Sequence, residues 1–123
     1  LLVEDEPLLA NLLRQRLERE HMEVLTARDG EEALKTLRET KPDLILLDII
    51  LPKISGFELM ETLRADPQFE SAPIIILSNL GQDSDVAKGQ ELGAVQYFVK
   101  AKVSIDELVE EVKNFLRTEA EKT

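Results

Sequence analysis

A single doubly wound α/β domain, with five parallel strands and helices on both faces of the sheet, is predicted from three observations. Strand-like apolar runs alternate with helix-period stretches along the whole chain, the pattern of right-handed β-α-β crossovers. Two runs, Leu44–Leu47 and Ile74–Leu77, are apolar without alternation, as in central strands covered by helices on both sides. The runs also end in chemistry: Glu4 and Asp5 after Leu1-Leu2-Val3, Asp48 after Leu47, Ser78 after Leu77, and Lys100 after Tyr97-Phe98-Val99.

The elements follow in order. Leu8, Leu9, Leu12, Leu13 and Leu17 have helical spacing, with Pro7 tolerated in the first turn, so the first helix is expected to bury this leucine stripe. Val24-Leu25-Thr26 is a short β-branched run. Asp29-Gly30 turns the chain into a second helix carrying Ala33, Leu34 and Leu37, and Lys41-Pro42 closes it. A third helix is expected over Gly56–Ala65 with Phe57, Met60 and Leu63 inward, Ser55 as its cap and Asp66-Pro67 after it. Asp83–Leu92 is a weaker helical stretch, interrupted by Gly89 and stopped by Gly93, which suggests a mobile element. Ser104-Ile105-Asp106-Glu107 is a capping box opening a last helix with Leu108, Val109, Val112, Phe115 and Leu116 on one stripe. The residues after Leu116 are polar, so the domain is placed at 1–118, with 119–123 as a polar tail or the start of a linker.

Composition narrows the function classes. A chain of 123 residues, 43% of them apolar, can bury one core without staples, and no second domain is expected. It has no cysteine, which excludes disulfides and zinc-thiolate sites and agrees with a reducing compartment, the cytoplasm. No apolar run approaches the roughly 20 residues that span a bilayer, because Asp48 and Pro52 interrupt the longest, and no signal peptide is expected. The chain opens on Leu1-Leu2-Val3 without a methionine, so it is expected to be part of a longer protein. A net charge of −10 repels phosphate backbones, so direct nucleic-acid binding by this segment is not expected; partners should carry basic patches or act through a metal.

In an open parallel sheet, ligands bind beyond the carboxyl ends of the strands, where the winding reverses, and that places a site beside Asp5 and Asp48. Three carboxylates about 5 Å apart repel by roughly 3 kcal/mol per pair at an effective dielectric near 20, so the cluster needs a cation or a proton. All-oxygen ligands with no histidine or cysteine nearby favour Mg²⁺, with Mn²⁺ as the other candidate. An aspartate beside such an ion can act as nucleophile toward phosphorus and form an acyl phosphate, and Asp48 is the candidate. Lys100 and the Ser78 hydroxyl would neutralise the new phosphoryl oxygens. Singly, each residue has a plainer reading: a turn-forming aspartate, a solvated lysine, a serine in a turn. Solvation alone does not ask for all of these groups at successive strand ends. Glu6 is read as facing solvent near the first helix N-terminus, and His21, the only histidine, as a surface residue.

Glu4-Asp5, Asp48-Ile49-Ile50-Leu51-Pro52 with Gly56, then Ser78, Gly93-Ala94, Tyr97 and Lys100 together resemble the receiver domain of two-component response regulators, over essentially the whole chain. The resemblance implies the flavodoxin-like strand order 2-1-3-4-5 with five helices. It implies that Asp48 accepts a phosphoryl group from the phosphohistidine of a sensor histidine kinase or phosphotransfer protein. It further implies that Asp5, Asp48 and the Ile50 carbonyl ligate Mg²⁺, with Glu4 acting through water. Ser78 would move toward the phosphoryl oxygen and Tyr97 turn inward behind it. That movement would change the face formed by the fourth helix, fifth strand and fifth helix, which a downstream output domain or target reads. Such a protein assists its own phosphorylation and dephosphorylation without being a turnover enzyme.

Two departures stand out. Ala101 follows the lysine where the family usually has proline, and Gln96 stands where one DNA-binding subfamily that dimerises through this face often carries aspartate; a homodimer is one arrangement to test. Ile50 and Leu80 put apolar bulk beside the site, from which a slowly decaying phosphoaspartate is expected. Three other functions compete. Ala101 motivates a phosphorylation-independent interaction module. A magnesium-dependent phosphohydrolase would share the nucleophile, but Ile50 stands where its general acid would be needed. A nucleotide or flavin carrier is disfavoured because Glu4-Asp5-Glu6 would repel phosphate.

Overall fold

A computed structural model describes residues 1–121. The elements are β1 (Leu2–Val3), α1 (Pro7–Arg19), β2 (Thr26–Ala27), α2 (Gly30–Glu39), β3 (Ile45–Leu47), α3 (Gly56–Arg64), β4 (Ile74–Ser78), α4 (Asp83–Glu91), β5 (Gln96–Val99), a 3₁₀ turn (Lys100–Lys102) and α5 (Ile105–Glu121). The strands pair in parallel in the order β2-β1-β3-β4-β5, the predicted doubly wound sheet.

Successive strand side chains point to opposite faces, which divides the core in two. Val3, Ile45, Leu47, Ile74 and Ile76 pack with Ala33 and Leu37 of α2 and Leu59, Met60 and Leu63 of α3. Leu2, Leu46, Ile75 and Leu77 pack on the other side with Leu13 and Leu17 of α1 and Leu108, Val109 and Val112 of α5. Both faces of β3 and β4 are therefore covered, and each buried Leu or Ile contributes about 1.5–3 kcal/mol. The caps form as their residue types suggest. Asp29 accepts from Glu32 N at 2.8 Å, Ser55 from Glu58 N at 3.2 Å and Ser104 from Glu107 N at 3.0 Å.

Four local expectations are corrected. The leucine stripe of α1 is two columns wide and only one faces the sheet: Leu13 and Leu17 are buried, whereas Leu8 is 87% and Leu12 44% exposed. The second strand pairs at Thr26–Ala27, because Leu2 and Val3 lie opposite these residues. In α3 the inward set also includes Leu59, buried with Met60 and Leu63, while Phe57 packs half-buried against the same core with the Lys88 ammonium 4.9 Å from its ring centre. The polar stretch after Leu116 does not end the last helix, which runs on through Glu121, while residues 122 and 123 of the predicted tail lie outside the described residues.

A tie that the sequence did not signal joins α3 to α4. Arg64 Nε donates to the Leu92 carbonyl at 2.8 Å and Nη2 to Gly93 O at 3.3 Å. Its Nη1 donates to the carbonyls of Phe69, Glu70 and Ala72 at 3.1, 3.2 and 2.9 Å. One guanidinium thus fixes the α3–β4 loop and the end of α4 together.

Candidate functional site

Strand register builds the site. Val3 lies opposite Leu47, and Asp48 N donates to Val3 O at 3.0 Å, so the next residues, Glu4 and Asp48, leave the sheet side by side. Ser78 closes β4 opposite Val99, and Lys100 follows one residue later. Gly56 lets α3 start tightly behind this edge: a Cβ there would lie 2.4 Å from Asp48 O and 2.6 Å from Ile49 Cα.

Carboxylate oxygens of Glu4, Asp5 and Asp48 lie within 4.8 Å of one another. Glu4 is 2% and Asp48 4% exposed, so two of the three charges are nearly out of water. Lys100 Nζ bridges them, 2.8 Å from Glu4 Oε1 and 2.8 Å from Asp48 Oδ2, with the exposed Glu6 Oε2 at 3.6 Å. The remaining oxygens accept backbone N–H groups, Asp48 Oδ1 from Ile50 at 3.1 Å and Glu4 Oε2 from Glu6 at 3.1 Å.

Burial pushes the Glu4 carboxyl up to about 7, against the opposing hydrogen bond from Lys100, and the nearby Asp48 charge adds to the rise. Burial alone would lower the Lys100 ammonium, but hydrogen bonds to Asp48 and Glu4 outweigh it and raise it above the ordinary lysine value. The lysine is therefore firmly cationic, and one cation faces three acids. That shortfall, the oxygen-only donor set and the 4.8 Å spread fit a hard divalent ion held by Glu4, Asp5 and Asp48.

Asp5, Asp48, Glu4 and Lys100 are thus brought together as read from the sequence. Glu4 contacts Lys100 directly, a role the expected water-mediated one did not include. Ile50 stands on the rim, its side chain 53% exposed. Ser78 is fully buried at the same sheet edge, and its Oγ accepts from Leu80 N at 3.3 Å. Tyr97 is half-buried, its hydroxyl donating to Leu80 O. Among the described residues there is no cis peptide bond, so Lys100–Ala101 is trans. Glu6 was missed as a neighbour of Lys100; the run of three acids before Pro7 was its only signal. His21 is exposed, as expected. A cavity of about 810 Å³ lined by residues including Leu1, Leu17, His21, Leu44 and Val112 lies at the opposite end of the strands, away from this chemistry. Among the described residues no helix is long and apolar enough to cross a membrane.

The family model described as "Response regulator receiver domain" matches residues 1–113. The phosphate regulon transcriptional regulatory protein PhoB of Rhizobium meliloti (strain 1021) is 46% identical over 115 residues, which cover 94% of this chain and 50% of that protein. The chain spans about half the length, or less, of the curated relatives it matches. Among solved structures, the BeF3-activated N-terminal receiver domain of Klebsiella pneumoniae RstA aligns with a TM-score of 0.84 at 32% identity, covering 94% of this chain and 96% of that one. The Mn(2+)-bound form of the response regulator Rcp1 aligns with a TM-score of 0.82 at 27% identity, covering 93% and 90%.

Proposed function

The chain belongs to the response regulator receiver domain family of two-component signalling, and from that premise we propose that Asp48 is the residue that accepts the phosphoryl group. The observation that carries this reading is the Lys100 ammonium bonded at 2.8 Å to a carboxylate that is itself only 4% exposed.

Transfer from a kinase or phosphotransfer-protein phosphohistidine forms a bond between an Asp48 carboxylate oxygen and phosphorus as the phosphorus–nitrogen bond breaks, and the electron pair leaves with the imidazole. Lys100 holds Asp48 in place and offers its charge to the phosphoryl oxygens, which gain negative density in the transition state. The Ser78 hydroxyl is the neutral donor for another oxygen. Glu4, Asp5 and Asp48, with the Ile50 carbonyl, would hold Mg²⁺ or Mn²⁺, which supplies further neutralisation of phosphoryl charge when bound. Tyr97 and the α4-β5-α5 face carry the state to an output domain or target. The segment itself, with a net charge of −10, does not bind nucleic acid. The domain, residues 1–118, acts in the cytoplasm as a switch that returns to its resting state by hydrolysis, without turnover of an outside substrate.

The phosphorylation-independent alternative is not favoured by the family or by the relatives. Incubation with acetyl phosphate and Mg²⁺ should add one phosphoryl mass to the intact chain, and Asp48→Asn should abolish the gain. No gain with acetyl phosphate or with a cognate kinase would overturn the reading.

A further inference from the structure

A strained turn lies on the loop between β3 and α3. Ile54 N donates to Pro52 O at 2.8 Å around Lys53, whose φ is 69°, the rarer and strained hand of γ-turn. Among the described residues only His21 otherwise combines a side chain with a positive φ, and it sits just past the end of α1, where chains commonly turn this way. Glycine takes such a conformation without a steric penalty, so a lysine held there needs a compensating contact. Its side chain makes one. The Lys53 ammonium lies 3.6 Å from Asp29 Oδ2 and 3.4 Å from Glu31 Oε2, at the start of α2. Asp29 divides its oxygens, Oδ1 capping the helix at Glu32 N and Oδ2 facing the lysine. The next loop residue sits on the same helix end. A Cβ at the buried Gly30 would lie 2.7 Å from Ile54 Cβ and 3.1 Å from Ile54 O, so glycine is what admits the loop.

This loop begins at the acidic site. It leaves β3 through Asp48, whose Oδ1 accepts from Ile50 N at 3.1 Å, and its base is closed by Gly56 N donating to Ile49 O at 2.8 Å. Its far end, Pro52 to Ile54, is fixed against α2 instead, and Ile50 lies between the two anchorages. We propose that Lys53 is a positioning residue for the metal: its strap to Asp29 and Glu31, with Ile54 seated on Gly30, holds the strained turn and thereby sets the place of the Ile50 carbonyl. The inference rests on the reading of Glu4, Asp5, Asp48 and the Ile50 carbonyl as the divalent-ion site. It makes the start of α2, which contributes no ligand, a determinant of how well the ion is held.

The sign of the effect separates positioning from charge. Removing a cation from the neighbourhood of three acids would by charge alone tighten the binding of another cation, whereas loss of positioning weakens it. Mn²⁺ binding to the whole chain, read from the loss of the free-ion electron paramagnetic resonance signal, should weaken about threefold in Lys53→Met, the scale of a surface ion pair, and return to the wild-type value in Lys53→Arg. Lys53→Gly relieves the turn but removes the strap, so it should weaken Mn²⁺ binding similarly while its denaturation midpoint is no lower than that of wild type. A residue that mattered for folding alone would not separate the two readings. Without metal, amide exchange at Ile54, whose N–H closes the turn, should speed several-fold in Lys53→Met. Mn²⁺ binding that is unchanged or tighter in Lys53→Met, or unchanged exchange at Ile54, would overturn the inference and leave the ion site standing. Absence of Mn²⁺ binding by wild type would strike the ion site itself, and the inference with it.

Discussion

Helices α3 and α4 are each nine residues long and lie against the same side of the sheet, yet they are held very differently. α3 buries Gly56, Leu59, Met60 and Leu63 and begins against Asp48, whereas α4 buries Gly89 alone. Beneath α3 lies β3, a central strand buried at every residue; beside α4 lies the edge strand β5, no residue of which is fully buried. A segment with few buried apolar contacts opens locally at low free energy. The difference therefore divides the molecule into a fixed half that holds the acids in register and a more loosely held half, which includes β5 and the lysine that follows it. Arg64 marks the boundary, leaving the β4–α4 loop as the end of α4 that can respond.

The largest expected effect tests the fixed half. Leu59→Ala should lower unfolding free energy by about 2–5 kcal/mol in guanidinium titrations, whereas Val86→Ala, on the half-buried side of α4, should cost less than about 1 kcal/mol. Equal losses would break the comparison. Next comes the boundary: Arg64→Met leaves the Leu92, Phe69 and Ala72 carbonyls without their charged donor and should cost about 2 kcal/mol, with amide exchange rising most at residues 92–94. Exchange rising equally along α3 would show that Arg64 supports α3 rather than the end of α4.

A pH effect of on the order of 2 kcal/mol belongs to the fixed half alone. Glu4 has its carboxyl raised from 4.5 to about 7, so the folded state binds a proton that the unfolded state has lost. The stability from this group is complete below pH about 4.5 and fades as pH rises through about 7. Lys100, raised above its ordinary value, stays charged across this window and does not offset the loss. In the presence of a chelator, wild type should therefore lose more stability than Glu4→Gln between pH 5 and 8, read from denaturation midpoints. Parallel curves would contradict a carboxyl raised by burial. The smallest effect concerns the rim, where Ile50→Asn should shorten the lifetime of the phosphoaspartate by about threefold, on the order of 0.6 kcal/mol, by giving an attacking water a polar neighbour. An unchanged lifetime would show that the apolar side chain at position 50 does not govern decay.

The fold and the acidic site were legible because both depend on residue type at strand ends, which sequence spacing displays. Asp48 and Glu4 leave adjacent strands at the same level, so their order in the chain already implied contact. What escaped was set by orientation. Leu8 and Leu12 look like core by spacing, but a two-column leucine stripe does not say which column meets the sheet. Gly89 looks like a weak point in a helix until the Tyr97 ring is seen beneath it. Arg64 carries no motif, because its partners are backbone carbonyls, which every residue has. Glu6 was set aside as solvated, and it is exposed, yet its carboxylate also reaches toward Lys100.

The account rests on a phosphoryl group at Asp48 being felt in the α4 half and not in the α3 half. Amide hydrogen exchange of the phosphorylated chain against the resting chain tests this most directly. Protection should rise in residues 79–92 while residues 56–64 stay unchanged, and Asp48→Asn treated identically should show no change. Equal protection of α3 and α4, or a change that survives in Asp48→Asn, would contradict it.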